Sequence, residues 1–267
     1  MRTKMDWLAL EKWAANQWPP EESEALGHWR LRASGGFTKR ANNVLAVGDL
    51  PDDLDWYERI CRFYSDRGLS AVFHISDSSP PELDLMLQDK GGIITAPCFG
   101  MMAPAAEMNA RLRPYQDRTD VAAELLAAPD PAWIEDYMLL EGHAAEARSF
   151  YEGLLERMPA PKVFVRLMSD DGETVALGTA HASDGWAILS NIIVREDRRG
   201  QGFAKALLAH LAAWCADNGA RSVFLQVLQD NAAALHLYES AGFKPEFRYH
   251  YRVLQKRLIF FKEGQLE

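Results

Sequence analysis

The feature that most restricts the fold is a strand-like run, Ile188-Leu189-Ser190-Asn191-Ile192-Ile193-Val194, that enters the loop Arg198-Arg199-Gly200-Gln201-Gly202 and leaves as the apolar-periodic stretch Phe203-Ala204-Lys205-Ala206-Leu207-Leu208. Strand, glycine loop and helix in direct succession aim backbone N–H groups and the positive end of a helix dipole at one point, which suits phosphate oxygens. Arg198 and Arg199 add positive charge there. Two glycines also fit an ordinary helix start, so the loop by itself leaves both readings open. A nicotinamide-type fingerprint needs a third glycine in Gly-x-Gly-x-x-Gly, and that position is Lys205.

The rest of the chain alternates helical and strand patterns. A first helix is expected over Trp7, Leu8, Leu10 and Trp13, stopped by Pro19-Pro20. Strand-like runs at His28 to Arg32 and Asn42 to Val47, joined by Ser34-Gly35-Gly36-Phe37-Thr38-Lys39-Arg40, predict a hairpin. Helix Asp52 to Arg67, strand Ala71 to Ile75, helix Pro80 to Gln88 and strand Ile93 to Met102 follow. Pro104 to Pro131 is rich in Pro, Asp, Ala and Arg, with one short helix, and carries the expected boundary between domains 1–110 and 111–267. Beyond it come helices Trp133 to Glu141 and Ala144 to Met158, strands Val163 to Met168, Val175 to His181 and Trp186 to Val194, and a long helix Gly202 to Asn218. Strand Ser222 to Val227, helix Ala232 to Ala241 and strand Phe247 to Leu254 complete a mixed α/β pattern with an open sheet.

An offset of 151 residues pairs Asp66 with Asp217, Gly68 with Gly219, Val72 with Val223, Phe73 with Phe224 and Gly91 with Gly242. Each pair falls on the same role, a helix-stop glycine or the apolar centre of a strand, so the chain reads as a duplication. The same offset sets Gly48-Asp49-Leu50-Pro51-Asp52-Asp53 against Arg199 to Ala204. Pro51 lacks an N–H and the aspartates repel anions, so the first copy is expected to have no phosphate chemistry.

In this context Val194 to Ala204 resembles the acyl-CoA signature of the GNAT (GCN5-related N-acetyltransferase) superfamily, a valine-ended strand followed by Arg-Gly-x-Gly-x-Ala. The run from Asn231 to Gly242-Phe243, with Tyr238 seven residues after the asparagine, resembles that family's next motif. The resemblance covers about Trp133 to Val253 and implies a tandem GNAT-like fold whose first half is a degenerate copy. It implies acetyl-CoA as cosubstrate without a metal, held by Ile192, Ile193 and Val194 on the central strand, by Arg199, Gly200, Gln201, Gly202, Phe203 and Ala204 in the loop, and by Asn231. Main-chain pairing with the pantetheine arm and a backbone oxyanion donor fall to Ile192 to Val194. Tyr238 matches the general acid that protonates the leaving thiolate. Structural roles stay open beside these: Tyr238 also fits a core aromatic, and Asn231 a plain N-cap. Asp197 departs from the family, which often places Gln or Arg there.

The implied reaction is direct attack of a primary amine of a small molecule on the thioester. Acetylation of a protein lysine or N-terminus is the second reading, and a noncatalytic acyl-CoA sensor the third. An alkylamine needs a base. Ser190 and Asn191 stand where many relatives carry Glu, which leaves Glu141, His143 and His181 as candidates, each of which also fits a structural role. Arg32, Lys39 and Arg40, near Trp29, either line an acceptor pocket and meet a carboxylate or decorate a solvated hairpin.

A net charge of −9 argues against nucleic acid as a partner and suits a cationic acceptor, although solubility explains it equally well. The charged N-terminal stretch, with Arg2, Lys4 and Asp6, lacks the apolar run of a signal peptide or membrane span. Three scattered cysteines, Cys61, Cys98 and Cys215, fit a reducing compartment, so a cytoplasmic protein without a membrane partner is expected. Oligomeric state is not fixed by any of these features, and a homodimer stays open.

Overall fold

The computed structural model describes residues 7–254; Met1 to Asp6, on which part of the signal-peptide reasoning rests, lie outside them. The strands are β1 (Glu22–Leu26), β2 (Trp29–Ala33), β3 (Val44–Leu45), β4 (Val72–Ser76), β5 (Ile93–Pro104), β6 (Val121–Leu126), β7 (Lys162–Ser169), β8 (Thr174–Ser183), β9 (Trp186–Val194), β10 (Ser222–Leu228) and β11 (Lys244–Val253). The helices are α1 (Trp7–Asn16), α2 (Trp56–Ser65), α3 (Leu83–Asp89), α4 (Ala105–Leu112), α5 (Pro131–Glu141), α6 (Arg148–Arg157), α7 (Phe203–Asp217) and α8 (Ala232–Ser240). The expected hairpin is present as the antiparallel β2–β3 pair, and β2 also pairs with β1 through a turn at Gly27 and His28.

All eleven strands join one sheet in the order β1-β2-β3-β4-β11-β5-β10-β9-β8-β7-β6. The duplication is visible in it. Phe73 pairs in parallel with Val44, as Phe224 pairs in parallel with Ile188. Gly68, Gly219, Gly91 and Gly242 all hold positive φ after a helix, a conformation that only glycine adopts without cost. The last strand of each half is exchanged: β5 pairs with β10 of the second half, and β11 pairs with β4 of the first. β5 and β11 then pair with each other, Lys244 against Met102 and Val253 against Ile93, so the two halves meet about a local pseudo-twofold axis. Met101, Ala103 and Met108, which precede residue 111, pack in the core of the second half with α7 and β10.

Helix α1 crosses the seam. Its Leu10 and Ala14 pack on Phe224, Phe247 and Tyr249. Glu11, buried, accepts a hydrogen bond from Ser76 Oγ at 2.9 Å and pairs with His74 Nε2 at 2.7 Å, while Trp13 Nε1 donates to Ser183 Oγ at 2.8 Å. One amphipathic helix thereby ties β4 to β8 and fixes the halves relative to each other.

Candidate active site

Strands β9 and β10 are hydrogen bonded only at their starts, from Trp186 to Ile188 against Ser222 to Phe224. Beyond that they diverge, and the divergence has a local cause. Leu177 pairs with Ile193 and Thr179 with Ser190, so Asn191 and Ile192 both lie opposite Gly178. This is a bulge, with Asn191 at φ +55, a conformation asparagine tolerates better than β-branched residues. It bends β9 away from β10 and leaves the main chain of Ile192 to Val194 unpaired with β10, the Val194 carbonyl meeting only Arg199 Nε, at 3.4 Å, among the described residues. A Cβ at Gly178 would lie 2.9 Å from Leu211 and 3.0 Å from Ile192, so glycine there lets α7 pack close behind the bulge.

The strand leads through Arg195 to the loop. Gly200 and Gly202 have φ of +76 and +86, and Gly202 caps α7 with no side chain occupying the first-turn N–H groups. Phe203 anchors the helix start in the core, whereas Arg199, Gly200 and Gln201 are exposed. Ala204 is half-buried in the first turn. A Cβ at Gly200 would meet nothing within 4 Å, so the space over the loop is open to a ligand. Positive-φ glycines, an uncapped helix N-terminus and an adjacent free strand edge together fit the pyrophosphate and pantetheine of an acyl-CoA. Asp197 does not spoil the cradle, because Arg195 Nε binds its carboxylate at 3.0 Å. Arg198 instead faces Asp171 and Glu173 at 3.8 and 3.6 Å, which leaves Arg199 as the loop arginine without a carboxylate partner among the described residues. Arg118, not anticipated from sequence, donates to the Gln201 carbonyl at 2.6 Å and lies 4.4 Å over the Phe203 ring, bracing the loop.

In the first half the fork is closed. The Gly48 N–H donates to the Ser78 carbonyl at 2.7 Å beyond the β3–β4 pair. Helix α2 starts only at Trp56, so Pro51 to Asp55 replace the first turn that would face a phosphate.

Tyr238 lies on α8, buried, its ring edge-on to Phe243 at 5.9 Å. Burial pushes its hydroxyl up to about 12, so it holds its proton at neutral pH. Asn231 is the N-cap of that helix, its Oδ1 accepting from the Ala234 N–H at 3.1 Å.

At the mouth of the fork, between the halves, lies a cavity of about 350 Å³. Asn191 and Gln226 to Leu228 line one side; Tyr137 and Glu141 come from α5, His143 from the turn after it and Tyr151 from α6. Trp18, Lys39 and Arg40 of the first half, and Tyr249 and Tyr251 of β11, close it. The cavity thus brings together Glu141, His143, Lys39 and Arg40 and leaves out Arg32, Trp29 and His181.

His143 follows Gly142, whose left-handed φ of +68 ends α5 and turns the chain. Its ring stacks on Tyr151 at 4.2 Å, and its Nε2 is buried with no hydrogen-bond partner. Desolvation lowers its pKa, opposed by Glu141, so the imidazole is neutral at pH 7. His143 lines the cavity, and a neutral ring nitrogen without a hydrogen-bond partner is able to take a proton. His181 is structural: fully buried, with Nδ1 2.7 Å from the Pro159 carbonyl oxygen and the ring beside Trp13. Ser190 is buried and bonded to Thr179 at 2.8 Å.

Arg32 is neither a solvated hairpin residue nor a lining residue of this cavity. It is buried and donates to the carbonyls of Arg40, Ala15 and Trp18 at 2.6, 2.9 and 2.5 Å. Desolvation lowers its pKa to about 10, still charged at neutral pH. Trp29 lies in the core of the first half. The tyrosines were not anticipated as lining residues, because they converge from α5, α6 and β11 and share no sequence spacing.

A forked parallel pair beside a glycine loop and an uncapped helix defines an acetyltransferase of the GNAT class. Residues 6–252 match the family described as "Probable histone acetyltransferase Rv0428c C-terminal", and the chain belongs to that family. It is similar to the uncharacterized N-acetyltransferase YobR of Bacillus subtilis, 37% identical over 91% of this chain and 97% of that one. A ribosomal protein bS18-alanine N-acetyltransferase of Escherichia coli is 37% identical over 28% of this chain and 51% of its own length. Among solved structures, a GCN5-related N-acetyltransferase from Kribbella flavida superposes with a TM-score of 0.72 over 96% of this chain and 98% of that one, at 16% identity. A tandem GNAT protein from the clavulanic acid biosynthesis pathway gives 0.62 over 92% and 93%, at 12% identity. The sequence expectation of a mixed α/β, tandem GNAT-like acetyltransferase therefore holds.

Proposed function

We propose that this acetyltransferase acts on a primary amine of a small molecule, in the cavity at the mouth of the β9–β10 fork. The observation that carries the reading is that cavity, which places a buried, unpartnered His143 Nε2 beside the bulge at Asn191. Its volume falls in the range of small-molecule sites.

Acetyl-CoA supplies the activated acetyl group. Backbone N–H groups of Gly200, Gln201, Gly202, Phe203 and Ala204, with Arg199, hold the pyrophosphate, and Asn231 adds a contact from α8. The free edge of Ile192, Ile193 and Val194 pairs with the pantetheine arm and donates an N–H to the carbonyl oxygen as it gains charge. His143 accepts the proton of the incoming ammonium, directly or through a water. The amine nitrogen then forms the new N–C bond while the C–S bond breaks; Tyr238 donates its proton to the departing sulfur, and the surplus proton on the acetylated nitrogen passes through water to reprotonate the Tyr238 phenolate. The first half, residues 1–110, completes the acceptor cavity and leaves the cofactor site to residues 111–267, so one chain takes one CoA. A cytoplasmic location suits the cosubstrate, and no helix among the described residues is long and apolar enough to cross a membrane.

Acetyl-CoA turnover across a panel of primary amines tests the reading. Binding without turnover, unaffected by Tyr238→Phe, would identify a sensor. The description of the matching family and the ribosomal relative favour a protein acceptor as the second reading. Preferential acetylation of lysine within peptides over free small amines would establish it.

A further inference from the structure

We infer that the acceptor carries a carboxylate as well as its amine, an amino-acid type of compound, and that Arg40 binds the carboxylate within the cavity at the fork. The inference rests on the acetyl-transfer reading above and specifies its substrate.

Arg40 makes no ion pair among the described residues; its guanidinium lies 4.7 Å over the Trp18 ring and lines the cavity. Other partly or fully buried arginines are committed: Arg32 to three carbonyls, Arg166 and Arg195 to carboxylates. A half-buried guanidinium that lines a cavity without a counter-ion among the described residues is available to a ligand carboxylate. Lys39 lines the same cavity, and among the described residues Glu141 is the one carboxylate that does. A simple alkylammonium would therefore meet more positive than negative charge. A compound with an ammonium and a carboxylate separates the two, the ammonium toward Glu141 and His143 and the carboxylate toward Arg40 and Lys39. The bidentate geometry of a guanidinium suits a carboxylate.

The wall that carries Arg40 is built rather than incidental. Arg32 Nη1 and Asn43 Nδ2 both donate to the Arg40 carbonyl, at 2.6 and 3.1 Å. Asn42 stitches the preceding loop, accepting from the N–H groups of Ser34 and Gly36 at 2.7 and 2.9 Å and donating to the Thr38 carbonyl at 2.8 Å. Phe37 at the loop tip stacks on Phe150 of α6 at 5.2 Å, so the loop is braced against the second half. Preorganisation of this kind serves recognition. The field of Arg40 reaches the aromatic lining, favouring the ionised form of Tyr137, Tyr151, Tyr249 and Tyr251 against the larger effect of their burial, which keeps them neutral. The protein's overall charge of −9 belongs to its exterior and does not describe this cavity.

Matched acceptors test the inference: phenylalanine against 2-phenylethylamine, leucine against 3-methylbutylamine, and each amino acid against its amide. The carboxylate member of each pair is expected to have the higher kcat/KM, by about 10- to 100-fold, the size of a charged hydrogen-bonded contact. In Arg40→Met that ratio collapses toward one through KM, and Arg40→Lys restores part of it. Calorimetry of the same pairs, with CoA present, reads binding independently of turnover. Carboxylate-selective binding that Arg40→Met removes, without turnover of any amine, would uphold the carboxylate site while overturning the enzyme reading. Equal or better use of the decarboxylated amines, an unchanged ratio in Arg40→Met, or no binding and no turnover of any carboxylate member would overturn the inference. Preferential use of Nα-acetyl-lysine amide over lysine would also overturn it, in favour of a protein acceptor.

Discussion

Gly100 and Phe247 face each other across the β5–β11 pair, and the phenylalanine ring fills the space where a side chain at residue 100 would begin. A Cβ on Gly100 would lie 2.5 Å from both Cε1 and Cζ of Phe247. The contact sits at the seam where the exchanged strands meet, so glycine and ring together specify how the halves join.

Gly100→Ala is accordingly expected to destabilise the fold by about 1–3 kcal/mol, the usual cost of overpacking. Phe247→Leu should recover part of that loss when combined with it. Denaturant unfolding of the two single variants and the double variant measures the coupling, and additive effects would show that the seam adapts.

Gly202→Ala should weaken acetyl-CoA binding about tenfold or more. Its φ of +86 costs an L-residue roughly 1–2 kcal/mol. A Cβ there would also approach Arg118 Nη1 to 2.9 Å and disturb the brace on Gln201. Calorimetry checks both the affinity and the stoichiometry, expected at one per chain. Two equivalent sites would mean that the closed fork of the first half opens.

Tyr238→Phe keeps the ring against Phe243 and removes only the hydroxyl. With Tyr238 as the acid, kcat falls about 100-fold while acetyl-CoA affinity holds. An unchanged kcat would make it a core aromatic and nothing more.

The pH profile isolates His143. Burial holds its pKa below the ordinary value near 6.5, with Glu141 pulling the other way and Tyr137 and Tyr151 packed against the ring. As pH falls through that lowered pKa the imidazole is protonated and can no longer accept from the amine, so kcat drops on the acid side below 6.5. His143→Gln should lose that limb and about 100-fold in kcat. The same limb in the variant would assign it to another group.

Much of this was legible in the chain, because glycine stops, apolar periodicity and the Arg199 to Ala204 loop are local signals. The element order and the duplication are readable from Gly68, Gly219, Phe73 and Phe224 for the same reason. Strand β1, Glu-Ser-Glu-Ala-Leu, lies at a sheet edge with charged residues outward and so carries no apolar alternation. Strand β6, Val121–Leu126, is the other edge; Val-Ala-Ala-Glu-Leu-Leu suits a helix as readily as a strand and carries no period-2 alternation, so it does not stand out from the segment around it. The exchange of β5 and β11 has no local signature, since either pairing buries the same apolar faces. Arg32 and Arg40 look alike in sequence, yet carbonyls captured one and left the other facing a cavity. That distinction depends on where Ala15, in α1, and Trp18, just beyond it, place their carbonyls.

The exchanged strands also bear on how the protein is made and inherited. β4 and β5 leave the ribosome early, but the strand that separates them, β11, follows about 140 residues later, roughly 7 to 30 s at ordinary synthesis rates. Until then the first half is a sheet with a missing centre and two unpaired edges, the kind of species that chaperones shield. On the longer timescale, a copy that has lost its own phosphate loop cannot be deleted, because it holds the last strand of its twin.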